Sequence, residues 1–121
     1  MRLYETVFII SPDLGEEEVK EWVERVQGII TTNKGEIVSV ENWGKKRLAY
    51  EVKRQRYGTY ILIHFRSDRE ALNEVERIYK MSEAIIKYLI IRINEKQLAS
   101  LTKIQRPTAG EEFGEESEEE I

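Results

Sequence analysis

The sequence predicts an α+β fold in which four strands and two helices alternate as βαββαβ. Two observations carry this expectation. Four segments show the alternating or β-branched apolar pattern of strands, and two others show apolar residues at every third or fourth position. Their order is that of two split βαβ units, the arrangement of the ferredoxin-like plait. Such a plait is a four-stranded antiparallel sheet with both helices on one face.

The elements follow in order. Residues 3 to 10, Leu-Tyr-Glu-Thr-Val-Phe-Ile-Ile, form a β-rich run that ends at Ser11-Pro12. From Asp13 to Thr31, Val19, Trp22, Val23, Val26 and Ile30 fall on one helical face. Glu16, Glu17 and Glu18 sit in its first turn, where the helix dipole favours negative charge. Asn33-Lys34-Gly35 stops that helix. Residues 36 to 43 form a second strand that Gly44 interrupts, and the chain resumes at residues 48 to 52. A glycine within a strand pattern predicts a bulge or a close backbone approach. Residues 54 to 58 are expected to turn the chain into a third strand, Thr59 to Phe65. Ser67-Asp68-Arg69-Glu70 reads as a capping box. Beyond it, Ala71, Leu72, Val75, Ile78 and Tyr79 share a helical face. After a connection over residues 80 to 86, Lys87 to Ile93 is the fourth strand. The expected domain spans residues 1–98, and residues 99–121 are expected to be an acidic, disordered tail.

A chain of 121 residues has room for one core. It contains no cysteine, which excludes disulfides, cysteine-ligated zinc and a thiol nucleophile. No signal-peptide pattern opens it, and no apolar run approaches a membrane span, so a soluble, cytoplasmic protein without a membrane partner is expected. The net charge of −4 hides an asymmetry. Residues 1–106 hold all 19 basic residues and 16 acidic ones, while seven glutamates crowd positions 111–120. A slightly basic body can therefore meet an anionic partner.

Two helices cover only one face of the sheet. The phase Thr59, Ile61, Ile63, Phe65 is assigned to the helix side, together with Tyr4, Thr6, Phe8 and Ile10. The outward face then carries Val7, Ile9, Tyr60, Leu62, Leu89 and Ile91. That set is too apolar to be left in water. Either a protein partner covers it or the chain does so itself through Leu98, Leu101 or Ile104.

Residues 45 to 56 hold Lys45, Lys46, Arg47, Lys53, Arg54 and Arg56 against a single acid, Glu51, with Tyr50 and Tyr57 interleaved. Cations neutralise phosphates and aromatics stack on bases, so the segment is a candidate for RNA contact; a solvated hairpin is the alternative. Arg2, Lys80, Lys87 and Arg92 are further basic candidates. Catalytic chemistry is missing. His64 is the single histidine and is expected to be structural or at the surface, the glycines form no phosphate loop, and no metal or cofactor is expected.

The stretch Gly44-Lys45-Lys46-Arg47-Leu48-Ala49-Tyr50-Glu51-Val52 resembles the signature of the bacterial small-subunit ribosomal protein six family. That pattern is a glycine, a basic pair, Leu-Ala-Tyr and an aliphatic residue one position on. Val52 stands where the family usually has isoleucine. Met1-Arg2-x-Tyr4-Glu5, Pro12-Asp13-Leu14 and Tyr57-Gly58 match as well, and the resemblance runs through residues 1 to about 98. It implies the same plait. It also implies a ribosome-associated structural protein that binds the central domain of small-subunit ribosomal RNA as a heterodimer with small-subunit ribosomal protein eighteen and aids assembly. On this resemblance Arg2, Lys87 and Arg92 would touch RNA, and Tyr60 and Leu62 would meet the protein partner. Lys46, Arg47 and Lys80 complete the expected RNA-binding set.

A generic RNA-recognition module of the same topology is the alternative. Arg56-Tyr57-Gly58-Thr59-Tyr60-Ile61 partly resembles its third-strand pattern, but the first strand lacks the expected outward aromatics. An enzyme or metabolite-sensing plait shares the fold but has no motif here.

Overall fold

A computed structural model of the chain describes residues 1–98. The expectations for Leu101, Ile104 and the acidic tail lie outside the described residues. The elements are β1 (Arg2–Ile10), α1 (Glu16–Thr32), β2 (Glu36–Val52), β3 (Gln55–Ser67), α2 (Arg69–Met81) and β4 (Ile85–Ile93). All strand pairs are antiparallel, and the sheet order is β2-β3-β1-β4. This is the βαββαβ plait expected from the sequence.

The main core lies between the helices and one sheet face. Phe8, Ile61, Ile63 and Phe65 from the sheet meet Val26 and Ile30 of α1 and Leu72 and Val75 of α2, all fully buried. The face assignment made from alternation therefore holds in β1 and β3. The polar atoms in this layer are matched: Thr6 Oγ1 and the Tyr79 hydroxyl lie 2.9 Å apart. Burial holds the Tyr79 hydroxyl far above its ordinary pKa.

Several boundaries differ from the expected ones. α1 starts at Glu16 after an extended Gly15, whose N–H donates to Glu18 Oε1 at 2.9 Å. The capping box at Ser67 does not form. Ser67 ends β3, Asp68 is the N-cap without a side-chain bond, and Ser67 Oγ donates to the Asp68 carbonyl instead. β4 begins at Ile85, because Ser11 N–H bonds the Ala84 carbonyl at 2.8 Å and anchors the strand earlier.

The largest departure is in the β2–β3 hairpin. The turn is not residues 54 to 58 but Lys53-Arg54 alone, closed by the pair Val52↔Gln55. Both turn residues have positive φ, 50° and 68°, the backbone of a tight hairpin turn that Asn-Gly usually supplies. The periodicity hid this turn because neither residue is a turn former. Gly44 behaves as expected: its φ is 82°, the register slips there, and its N–H donates to Asn42 Oδ1 at 2.7 Å.

Candidate nucleic-acid interface

The residues beyond Gly44 form a hairpin arm. β2 continues for eight residues past the bulge, as far as Val52, and the arm bends across the face opposite the helices. Gly58 permits the bend. A Cβ there would collide with Ile9 Cγ2 and would lie 3.3 Å from both the Ile10 carbonyl and Ile86 Cδ1. Leu48, with Trp43 and Val52, packs over Val7, Ile9, Tyr60, Leu62 and Ile86. The Trp43 ring stacks on Tyr60 at 6.3 Å.

The arm reaches the far strand. Lys53 Nζ donates to the Ile85 carbonyl at 3.4 Å, and Lys87 Nζ donates to the Tyr50 hydroxyl at 3.0 Å while sitting 5.3 Å above its ring. In the sheet order β2-β3-β1-β4, these contacts span β3 and β1. Burial under the arm pushes the Tyr60 hydroxyl up to about 12, and the neighbouring Tyr50 adds to the rise.

The six residues expected on the outward face do share it, since Val7 pairs with both Leu62 and Leu89, and Glu5 pairs with Ile91. Their exposure divides them. Val7, Ile9, Tyr60 and Leu62 are buried within the chain, while Leu89 and Ile91 on the edge strand are half-exposed. Leu98, Leu101 and Ile104 were the alternative to a protein partner as cover; the hairpin arm, at Leu48, Trp43 and Val52, is a different cover from the same chain.

The same face holds a buried polar chain. His64 Nε2 lies 3.0 Å from Glu5 Oε1, and its Nδ1 lies 3.1 Å from Ser39 Oγ. These bonds tie β1, β3 and β2 together. Sequence reasoning placed Glu5 and His64 on the outward side but could not see that the strand register sets them opposite each other. Each ring nitrogen has a partner and the ring is buried, so of the two expected settings, structural and surface, His64 occupies the structural one.

The six basic candidates fall in two groups. Arg2 and Arg92 lie near one end of the sheet, beside the pair Leu3↔Ile93. Lys87, opposite Ile9, lies at the other end with the arm residues Lys46 and Arg47, opposite Gly58 and Tyr57. Lys80, in the last turn of α2, is near that second end and pairs with Glu76 at 3.7 Å. Arg2, Lys46, Arg47 and Arg92 are exposed and make no ion pair among the described residues. Arg66, by contrast, is held by Glu95 at 2.7 Å, and that carboxylate raises its pKa.

No set of three or more His, Cys, Asp or Glu side chains is placed to hold a metal among the described residues. No described helix is long and apolar enough to cross a membrane.

A ferredoxin-like plait whose second face is capped by a basic hairpin arm is the class these features define. The family model described as Ribosomal protein S6 matches residues 3–92, and the chain belongs to that family. The small ribosomal subunit protein bS6 of Thermoanaerobacter pseudethanolicus is 46% identical over 95 residues, 78% of this chain and 100% of that protein. The bS6 protein of Moorella thermoacetica is 44% identical over 96 residues, covering 79% of this chain and 98% of that one. The crystal structure of 30S ribosomal protein S6 from Thermotoga maritima superposes with a TM-score of 0.75 at 38% identity, covering 84% of this chain and 96% of that one. The chain is thus a small-subunit ribosomal protein, a structural component and not an enzyme.

Proposed function

We propose that this chain binds the central domain of small-subunit ribosomal RNA as a heterodimer with small-subunit ribosomal protein eighteen and helps to order that RNA during assembly. Family membership supports the ribosomal setting, and one structural observation supports the RNA contact. Arg2 and Arg92 at one end of the sheet and Lys46 and Arg47 at the other are exposed and have no carboxylate partner among the described residues. Unneutralised cations are available to displace counterions from phosphates. In this reading Arg2, Lys46, Arg47 and Arg92 carry the contact, with Lys87 and Lys80 secondary because Tyr50 engages the first and Glu76 the second.

The protein partner belongs on the edge of the arm-covered face. Leu89 and Ile91 are the accessible members of the apolar set, with Val7, Ile9, Tyr60 and Leu62 supporting them from beneath. An aspartate at Leu62 would break the fold before it tested pairing, so the informative variants are Leu89→Asp and Ile91→Asp.

The generic RNA-recognition reading is disfavoured by Tyr60. Such a module stacks bases on open aromatics of its sheet, but Tyr60 is only 1% exposed and lies under Trp43.

Reconstitution with a central-domain RNA fragment tests the proposal. Binding should require protein eighteen and weaken with salt, and Arg2→Ala or Arg92→Ala should each lower the salt slope by about 1. Absence of binding at low salt with the partner present, or failure of the chain to sediment with small subunits, would refute it.

A further inference from the structure

Resting on the RNA-binding reading, we propose that the hairpin arm is itself a nucleotide-stacking site in which the Tyr57 ring takes an unpaired base and Arg47 the adjoining phosphate. Tyr57 is 46% exposed and has no hydrogen bond or ring partner among the described residues. It differs in this from Tyr50, the other exposed tyrosine of the arm, whose ring and hydroxyl are both engaged by Lys87. An aromatic left unused on an otherwise economical surface has its flat face available to a ligand.

The neighbours of Tyr57 identify the ligand. Arg47 is its direct cross-strand partner, and directly opposed residues share a face with Cβ atoms about 5 Å apart. Lys45 lies two positions along the same strand and so on the same face. Neither cation is paired with a carboxylate among the described residues. An open ring flanked by free cations matches a single-stranded nucleic acid, in which bases stack on aromatics while the backbone follows positive charge. A protein surface of opposite charge would use the cations and leave the ring face unexplained.

The turn at the arm's tip points the same way. Lys53 and Arg54 hold positive φ without being glycine. Residues kept in a costly backbone conformation often mark a functional site, and here the turn displays Arg54 as another exposed, unpaired cation.

The test compares Tyr57→Ala, Tyr57→Phe and Arg47→Ala for binding to central-domain RNA at fixed salt with protein eighteen present. Thermal unfolding checks that each variant folds, as expected for exposed positions. Tyr57→Ala should weaken binding about tenfold with the salt slope unchanged, because stacking releases no counterions. Tyr57→Phe should bind like the parent, and Arg47→Ala should lose affinity and about one unit of slope. If Tyr57→Ala binds like the parent while Arg2→Ala and Arg92→Ala are weakened, the arm site is wrong and the wider RNA reading stands. Equal losses in the alanine and phenylalanine variants would assign the effect to the hydroxyl and overturn stacking. A loss confined to pairing with protein eighteen would overturn it in favour of a protein contact. If the parent chain binds no RNA, the wider reading fails first.

Discussion

On the helix-covered face, Phe8, Ile61, Ile63 and Phe65 are sealed by Val26, Ile30, Leu72 and Val75, and the polar pair Thr6 and Tyr79 is satisfied internally. On the opposite face, apolar residues mingle with the chain Glu5–His64–Ser39, and the cover is a bulged, strained hairpin bearing unpaired cations. The two faces belong to the same strands, so the contrast comes from what was packed on each. Helices close the first face with dense side-chain burial. The second is closed by a single layer of strand whose outer surface carries exposed cations and whose edge, at Leu89 and Ile91, stays half-open. Side-chain burial is densest on one side, and the cover of the other carries the exposed cations proposed to meet RNA.

Paired deletions test this division most strongly. Phe65→Ala should destabilise the protein by about 3–5 kcal/mol, as for a fully buried aromatic. Leu48→Ala, beneath the arm and 7% exposed, should cost about 2 kcal/mol because the arm can settle into the space. Denaturant midpoints at constant slope measure both. An equal or larger loss at Leu48 would make the arm a second core, not a cover.

Next in size is the hinge of the arm. Gly58→Ala brings a methyl group against Ile9 and Ile86, and overpacking of this kind costs roughly 1–3 kcal/mol. If the arm is a separable cover, most of the strain will be relieved by lifting it, seen as greater hydrogen exchange in residues 45 to 57 with the helix-side core still protected. Uniform loss of protection across both faces would show that the two are not separable.

Alkali distinguishes the faces through their tyrosines. The Tyr60 hydroxyl is raised to about 12 in the folded protein, from about 10 when free. The unfolded chain therefore releases this proton first. Stability from this source is complete below pH 10, falls as pH rises, and is gone above pH 12. The loss should be roughly 1–2 kcal/mol, less than a full two-unit shift implies, because only one layer of strand separates the phenol from water. Tyr79 is displaced further in the same direction by deeper burial. Both losses begin near pH 10, where the unfolded tyrosines ionise; Tyr60→Phe should remove a part that levels off near pH 12, and Tyr79→Phe a part that continues beyond it. Spectrophotometric titration alongside unfolding checks the order, and a reversed order would place the drier environment under the arm.

The strand faces were legible because alternation reports directly on burial: Phe65, Ile63 and Ile61 lie where their period put them. The plait followed from element order. What stayed hidden depends on long-range geometry. Nothing local announces that Leu48 and Val52 close over Ile9, since that requires the bulge at Gly44 and the clearance at Gly58 to act together. The Glu5–His64 contact needs the β1–β3 register, which no single strand encodes. The basic candidates were readable as charges, but their division between two ends of the sheet was not. Whether a cation is free or already paired, as Lys80 is with Glu76, also depends on the fold. Tyr50 and Tyr57 read alike in the sequence, and only the reach of Lys87 from β4 separates them.

The turn at Lys53-Arg54 provides the finest test of the division. Both residues adopt positive φ, a conformation that costs about 1–2 kcal/mol for a residue with a side chain. Replacing them by Asn-Gly, the pair best suited to such a turn, removes most of that strain. Added chain entropy from the new glycine offsets part of the gain, so the expected net stabilisation is about 1 kcal/mol. The same substitution removes two cations from the tip of the arm. If the tip contacts phosphate, the stabler variant should bind RNA more weakly and show a salt slope lower by up to about 2. The stability gain and the binding loss would then come from the same two residues, as expected of a cover whose outer surface serves RNA at the expense of its own turn. A variant that is stabler and binds RNA unchanged would confine the arm's role to closing the sheet.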